Sequence, residues 1–198
     1  MGLEHFALAC YDEPEMVHEA MAFVEARNAR AIERIVSVLR PEFVLDAGDC
    51  AYKTGTMVAP DMMRRFVTDP TRPNIRALRQ MGVVPVFHTD GKLDDVVPLL
   101  LDLGFAAVHG CESAANDLEH LVERFGRQIV LCGNMDVVFL TQSSPQQIAH
   151  ATNQMLRIGN RYGRFVAGCN TSPLDYIPWE NYRAFTEAVR HWNPGPGE

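Results

Sequence analysis

Short apolar runs alternate with stretches of helical periodicity along most of the chain. Phe43-Val-Leu-Asp-Ala47, Val83-Val-Pro-Val-Phe87, Phe105-Ala-Ala-Val-His109, Gln128-Ile-Val-Leu-Cys132 and Arg164-Phe-Val-Ala-Gly168 read as buried strands. Ahead of the first, Met16, Val17, Ala20, Phe23, Val24, Ala31, Ile35 and Val38 recur at helical spacing from Asp12 to about Arg40. Pro14 suits a first turn, and Arg27 and Asn28 interrupt the apolar face and predict a break. Residues 3–10 are apolar on one side and fit either a small helix or an arm. A short helix is predicted over Ala59–Val67. The Asp69-Pro-Thr-Arg-Pro73 segment reads as an interruption, with a second helix from about Asn74 to Gln80. Further helices are predicted at about 92–102, Asp117–Phe125, from Ser144 with a capping-box spacing, and from about Pro178 to His191. Strands apolar throughout and separated by helices predict an α/β fold with a parallel sheet covered by helices. About five βα units are three short of a closed (β/α)8 barrel of about 250 residues. Either the sheet is open, or the chain is the carboxyl-terminal part of a barrel whose first strands lie elsewhere.

The length of 198 residues suits one core, so residues 1–192 are expected to form a single domain and 193–198, rich in Pro and Gly, a flexible tail. A net charge of −7 without a dense basic patch argues against nucleic acid. No signal-peptide pattern opens the chain and no apolar run is long enough to span a bilayer, so the expected setting is the cytoplasm. Five cysteines without a CxxC pair read as reduced thiols, some of them available as ligands.

Candidate chemistry lies where the strands end, because in parallel α/β folds sites are built at the carboxyl ends. In order, those ends carry Asp46 and Asp49; His88 and Asp90; His109, Cys111 and Glu112; Asn134 and Asp136; and Cys169 and Asn170. His88 and Asp90 are spaced to grip one ion. Taken singly, each residue has a plainer role: a strand-end histidine bonded to its neighbours, a capping acid, a small buried thiol. Their succession at consecutive strand ends favours a metal site. Asp46 and Asp49 flank Gly48, with two roles open to them: binding substrate or acting as general acid and base, or accepting loop amides. His109 reads as a core histidine, Cys111 as a reserve ligand, and Cys10, Cys50 and Cys132 as buried thiols.

The ordered set Asp-Ala-Gly-Asp (46–49), Val-Ala-Pro-Asp-Met-Met-Arg-Arg-Phe-Val (58–67), His-Thr-Asp-Gly (88–91), Gly-Asn-Met-Asp (133–136), Gly-Cys-Asn (168–170) and Ile-Pro-Trp-Glu-Asn-Tyr (177–182) resembles the uroporphyrinogen decarboxylase superfamily. That superfamily is a (β/α)8 barrel that also holds zinc-dependent, corrinoid-linked methyltransferases. The resemblance runs from about Asp12 to Val189 and matches the carboxyl-terminal portion of the fold. It implies a zinc site of His88, Glu112 and Cys169, with Asp90 standing where the methyltransferases have a cysteine. The decarboxylases use no metal and place a histidine where Cys169 stands, so Cys169 favours the methyltransferase branch.

The function so implied is a zinc-dependent methyltransferase moving a methyl group between a small O- or S-substrate and a corrinoid protein. Zinc would be held by His88, Asp90, Glu112 and Cys169, the corrinoid carried by a partner, and the substrate bound by Asp46, Asp49, Asn134 and Asn170, with Asp46 and Asp49 as catalytic groups. Two rival readings are a metal-free carboxy-lyase acting on a poly-acid, and a non-catalytic partial barrel that self-associates or binds a partner to cover its sheet edges.

Overall fold

A computed structural model describes residues 2–193. Apart from Asn193, the tail expected at 193–198 lies outside the described residues. The chain opens with two helices, α1 (Leu3–Asp12) and α2 (Pro14–Leu39), Pro14 sitting at the start of the second where no intrahelical N–H is needed. Residues 3–10 are thus helical, and α2 runs through Arg27 and Asn28 without a break.

Five strands make one parallel sheet: β1 (Phe43–Ala47), β4 (Val84–His88), β5 (Ala107–His109), β6 (Val130–Met135) and β7 (Phe165–Cys169), in the spatial order β1-β4-β5-β6-β7. Two short strands, β2 (Ala51–Tyr52) and β3 (Gly55–Thr56), form a small hairpin in the loop after β1. Each main strand pairs with the next in sequence, so every crossover steps the same way. A doubly wound sheet would reverse direction at a switch point, whereas this is the wall of a (β/α)8 barrel. Five βα units are present and the wall does not close among the described residues: β1 and β7 are its two edges.

The crossovers carry α3 (Pro60–Met63) and α4 (Asp69–Gln80), α5 (Val96–Leu103), α6 (Leu118–Phe125), α7 (Val137–Gln142) and α8 (Pro145–Gly159), and α9 (Trp179–His191) follows β7. The Asp69–Pro73 segment is helical rather than an interruption, joined to α3 through a π-helical turn at Arg64–Thr68. A proline ring clashes with the carbonyl four residues back, and the widened turn ahead of Pro70 gives that ring room over Phe66. Ser144 caps α8 with the reciprocal Gln147 bonds its sequence spacing predicts.

The core lies between the sheet and these helices. Leu93, Val97, Val108, Leu121, Ile129, Leu140 and Ile148 are fully buried there, each contributing about 1.5–3 kcal/mol relative to exposure. The sheet's other face, which would line a closed barrel, is uncovered among the described residues. Both terminal strands are consequently less buried than their apolar sequences predict: Phe43 is 61% and Leu45 52% exposed in β1, and Val166 54% in β7. In α2 the expected apolar stripe points outward except at Val17, with Phe23 71% exposed. Its packed side joins Met21, Ile32 and Val36 to Val17, interrupted by Glu25, which accepts hydrogen bonds from Thr71 and Asn74 of α4.

Gly110 lies just beyond β5 at φ +100, and a Cβ there would run into the Thr89 carbonyl. Gly110→Ala is expected to destabilise the fold by roughly 2–4 kcal/mol, from the positive φ and the overlap together. Gly48→Ala, with open space around it, should stay within about 0.5 kcal/mol. Urea midpoints of the two variants check the difference.

Candidate metal centre

Register builds the site. Ala47, His88, His109, Cys132 and Val166 stand level across the sheet, and one residue earlier so do Asp46, Phe87, Val108, Leu131 and Phe165. Side chains alternate faces along a strand. The second row packs under the helices, with Phe87 edge-on to Phe105, and the first row therefore projects from the uncovered face. His88 and His109 meet there, Nδ1 to Nδ1 at 2.8 Å.

The loop after β4 is fixed from all sides. Thr89, fully buried, donates its hydroxyl to the Asp90 carbonyl and accepts from the Cys50 amide, which ties it to the loop after β1. The Asp90 amide donates to Asp49 Oδ1 at 3.2 Å, and the Gly91 amide to Glu112 Oε1 at 3.1 Å. Asn116, also buried, donates to the Gly91 carbonyl and accepts from the Leu93 amide. Gly91 sits at φ +91 against the Ala51 carbonyl, where no side chain fits. Asp94 anchors the far end of the loop to α6. Partial burial pushes its carboxyl up, but hydrogen bonds from His120 and Arg124 outweigh that and hold it below the usual range.

The result is a convergence of Asp49, His88 and Asp90, one ligand atom of each lying within 4.8 Å of the others. Two donors bound to zinc at about 2.0–2.2 Å stand about 3.4 Å apart in a tetrahedron. Side-chain adjustment of about an ångström would therefore close this group on an ion. One nitrogen and two carboxylate oxygens suit zinc and harder divalent ions.

The other expected site residues stand apart from this group. Glu112 holds the Gly91 amide beside it. Cys169 pairs with Met135, three residues beyond Val166 on β7, so it shares the face of Phe165 and Ala167 and is buried in the main core. Burial pushes its thiol up. Cys111, the reserve ligand, is fully buried, with its thiol pushed up to about 12 by desolvation and then by neighbouring Cys132. Asp46 lies in the helix-side row, level with Phe87. Desolvation, then the Glu25 carboxylate, raise its carboxyl, an effect softened by its exposure at the sheet edge. The two aspartates paired in the sequence reading are thus separated: Asp49 joins His88 and Asp90, and Asp46 does not. The Asn134 amide donates to the Cys111 carbonyl. Asn170 accepts from the Val137 amide and donates to Asp136, which caps α7.

His109 is the residue whose part at the site the sequence reading missed. Desolvation, then the nearby His88, push its imidazole below the usual range, against a hydrogen bond to the Cys169 backbone carbonyl and the Asp90 carboxylate, which pull it up. The signal was its position: like His88, it is the last residue of an apolar strand.

The family model for uroporphyrinogen decarboxylase (URO-D) matches residues 1–192. The chain belongs to the uroporphyrinogen decarboxylase family. No curated protein sequence matches this family member significantly. Among solved structures, a methyltransferase from Methanosarcina mazei superposes with a TM-score of 0.76 at 18% identity, over 96% of this chain and 53% of its own. The chain therefore spans about half the length of that relative, and a likeness at this identity speaks for the fold.

The URO-D-family chain has no cysteine in its convergent group, and thiol chemistry reports this. At pH ~8 a thiol at about 11 or about 12, as in Cys132 and Cys111, is ionised to about one part in a thousand or less. Iodoacetamide should leave both unlabelled in the native protein, by mass spectrometry, and reach all five cysteines in urea.

Proposed function

We propose that this chain carries the metal-binding part of a zinc-dependent methyltransferase, moving a methyl group between a small O- or S-substrate and a corrinoid borne by a partner protein. The observation that carries the proposal is the convergence of Asp49, His88 and Asp90 at the carboxyl ends of β1 and β4, where this fold places its chemistry. Family membership and the shared fold of a methyltransferase support it.

When bound, zinc supplies Lewis acidity to the oxygen or sulfur of the substrate. His88, Asp49 and Asp90 would hold it, leaving a coordination position open on the uncovered face of the sheet. Glu112, Asn116 and Thr89 act through the backbone: by fixing the 88–93 loop they keep the His88 and Asp90 side chains together before any ion arrives. A donor set with two carboxylates and no thiolate is hard, which favours an oxygen substrate over a thiol. Docking of the corrinoid protein is proposed at the same strand-end face. Further βα units, in this polypeptide or another, are proposed to complete the barrel along the β1 and β7 edges. No helix among the described residues is long and apolar enough to cross a membrane, and the cytoplasm remains the proposed location.

Zinc content of the purified protein, by inductively coupled plasma mass spectrometry after dialysis, tests the reading. The expected result is about one zinc per chain, falling to background in His88→Ala and Asp90→Ala, falling at least tenfold in affinity in Asp49→Asn, and unchanged in Cys169→Ala. A wild type without zinc sinks the metal site. Zinc lost from Cys169→Ala but kept in Asp49→Asn would replace this ligand set with the one that the family pattern implies. Methyl transfer is then assayed with methylcobalamin as donor, or with cob(I)alamin and a methoxy compound.

A further inference from the structure

His88 is held by a hydrogen bond that determines which of its nitrogens is free. Its Nδ1 faces His109 Nδ1 at 2.8 Å, a distance at which one nitrogen carries a proton and the other a lone pair. With Nδ1 engaged by His109, the nitrogen left to His88 for a ligand is Nε2. In a neutral imidazole, the form expected at pH ~8 above the ordinary pKa of about 6.5, Nε2 carries a lone pair only where Nδ1 carries the proton. A ligating His88 therefore donates from Nδ1, and His109 accepts on its own Nδ1 and is protonated on Nε2.

We propose that His109 is a positioning residue: it locks His88 as the Nδ1–H tautomer and so presents the His88 Nε2 lone pair to an ion held with Asp49 and Asp90. This inference rests on the reading of His88 as a ligand, and the tautomers are measured with no metal present. The backbone makes the lock rigid. His88 and His109 are register partners on β4 and β5, and the Thr89 amide donates to the His109 carbonyl. Gly110 lets the chain leave β5 against the Thr89 carbonyl, where a Cβ would overlap that carbonyl and stand 3.4 Å from His88 Nδ1. Two rings anchored at adjacent strand ends have little freedom to part. A hydrogen-bonded outer partner that fixes the tautomer of a ligating histidine is typically worth 10–100-fold in metal affinity.

Tautomers are read directly by long-range ¹H–¹⁵N correlation spectra of the histidine-labelled, metal-free protein at pH ~8. The expected result is His88 protonated on Nδ1 and His109 on Nε2. His109→Phe removes the acceptor and should move His88 to the Nε2–H form, with zinc affinity lower by roughly 10–100-fold. His109→Asn, whose Oδ1 stands near the place of Nδ1, should restore the Nδ1–H form and most of the affinity. Wild-type His88 protonated on Nε2 overturns the proposal, and so does a folded His109→Phe in which His88 keeps the Nδ1–H form. The wild-type spectrum decides the tautomer even where a variant fails to fold. A wild type that shows the expected tautomers yet binds no zinc would leave the lock standing and remove the metal reading alone.

Discussion

One row of register, Ala47–His88–His109–Cys132–Val166, is the constraint on which the site depends. Its partner row, Phe87–Val108–Leu131, is what fixes it. A slip of β4 by one residue would turn Phe87 out of its packing against Phe105 and drive the His88 imidazole into the helix layer. Exposing a large apolar side chain of this kind costs about 1.5–3 kcal/mol, while burying an imidazole without its partner adds a penalty of similar size. Burial on one face thus decides where the polar groups on the other face point. The two histidines approach each other because the apolar residues just before them are locked under the helices.

The sequence carried this architecture unevenly, and the reason is physical in each case. Strand and helix alternation is written in short-range periodicity, and the five parallel strands stand where the apolar runs predict them. Ser144 and Gln147 form their capping box because that motif needs only four consecutive residues. Exposure was less legible. Phe43-Val-Leu reads as buried, yet β1 is an edge strand, since burial depends on what stands beside a strand and not on its own composition. The outward stripe on α2 was misjudged for the same reason: its inward face includes Glu25, whose partners Thr71 and Asn74 lie far along the chain. In the Asp69–Pro73 stretch two prolines signalled a stop, but the π-helical turn makes room for Pro70 and Pro73 lies within the first turns of α4.

At the site, strand-end position was legible and face was not. Reading the residues at each strand end put Asp46, His88, Cys169 and the rest on one rim, which is true of the backbone. Parity then divides them. Asp46 belongs to the row of Phe87, one residue off the row of His88. Cys169 is an odd step from Val166 and is buried with the core. Asp49 escapes parity because it lies past the end of β1, in a loop that turns back until its carboxylate accepts the Asp90 amide. Loop residues are the ones a period-two pattern cannot place.

That division makes the departure from the family's cysteine pattern coherent. With Asp90 where a thiolate ligand is expected, a distant Cys169 would leave a mixed and incomplete donor set. Asp49 supplies a donor of the same hardness as Asp90, from the loop next to His88 and on the same face. On the proposed reading, the third ligand has moved from the last strand to the first, which shifts the metal toward the β1 edge and its exposed neighbours. An ion there meets whatever completes the barrel along β1, so the substrate's surroundings would be shared between this chain and those added strands. On the same reading the tautomer of His88, by contrast, is set from the other side, by His109. Both pairings join residues far apart in the chain, the first through a loop and the second across the sheet, and only the fold could reveal them.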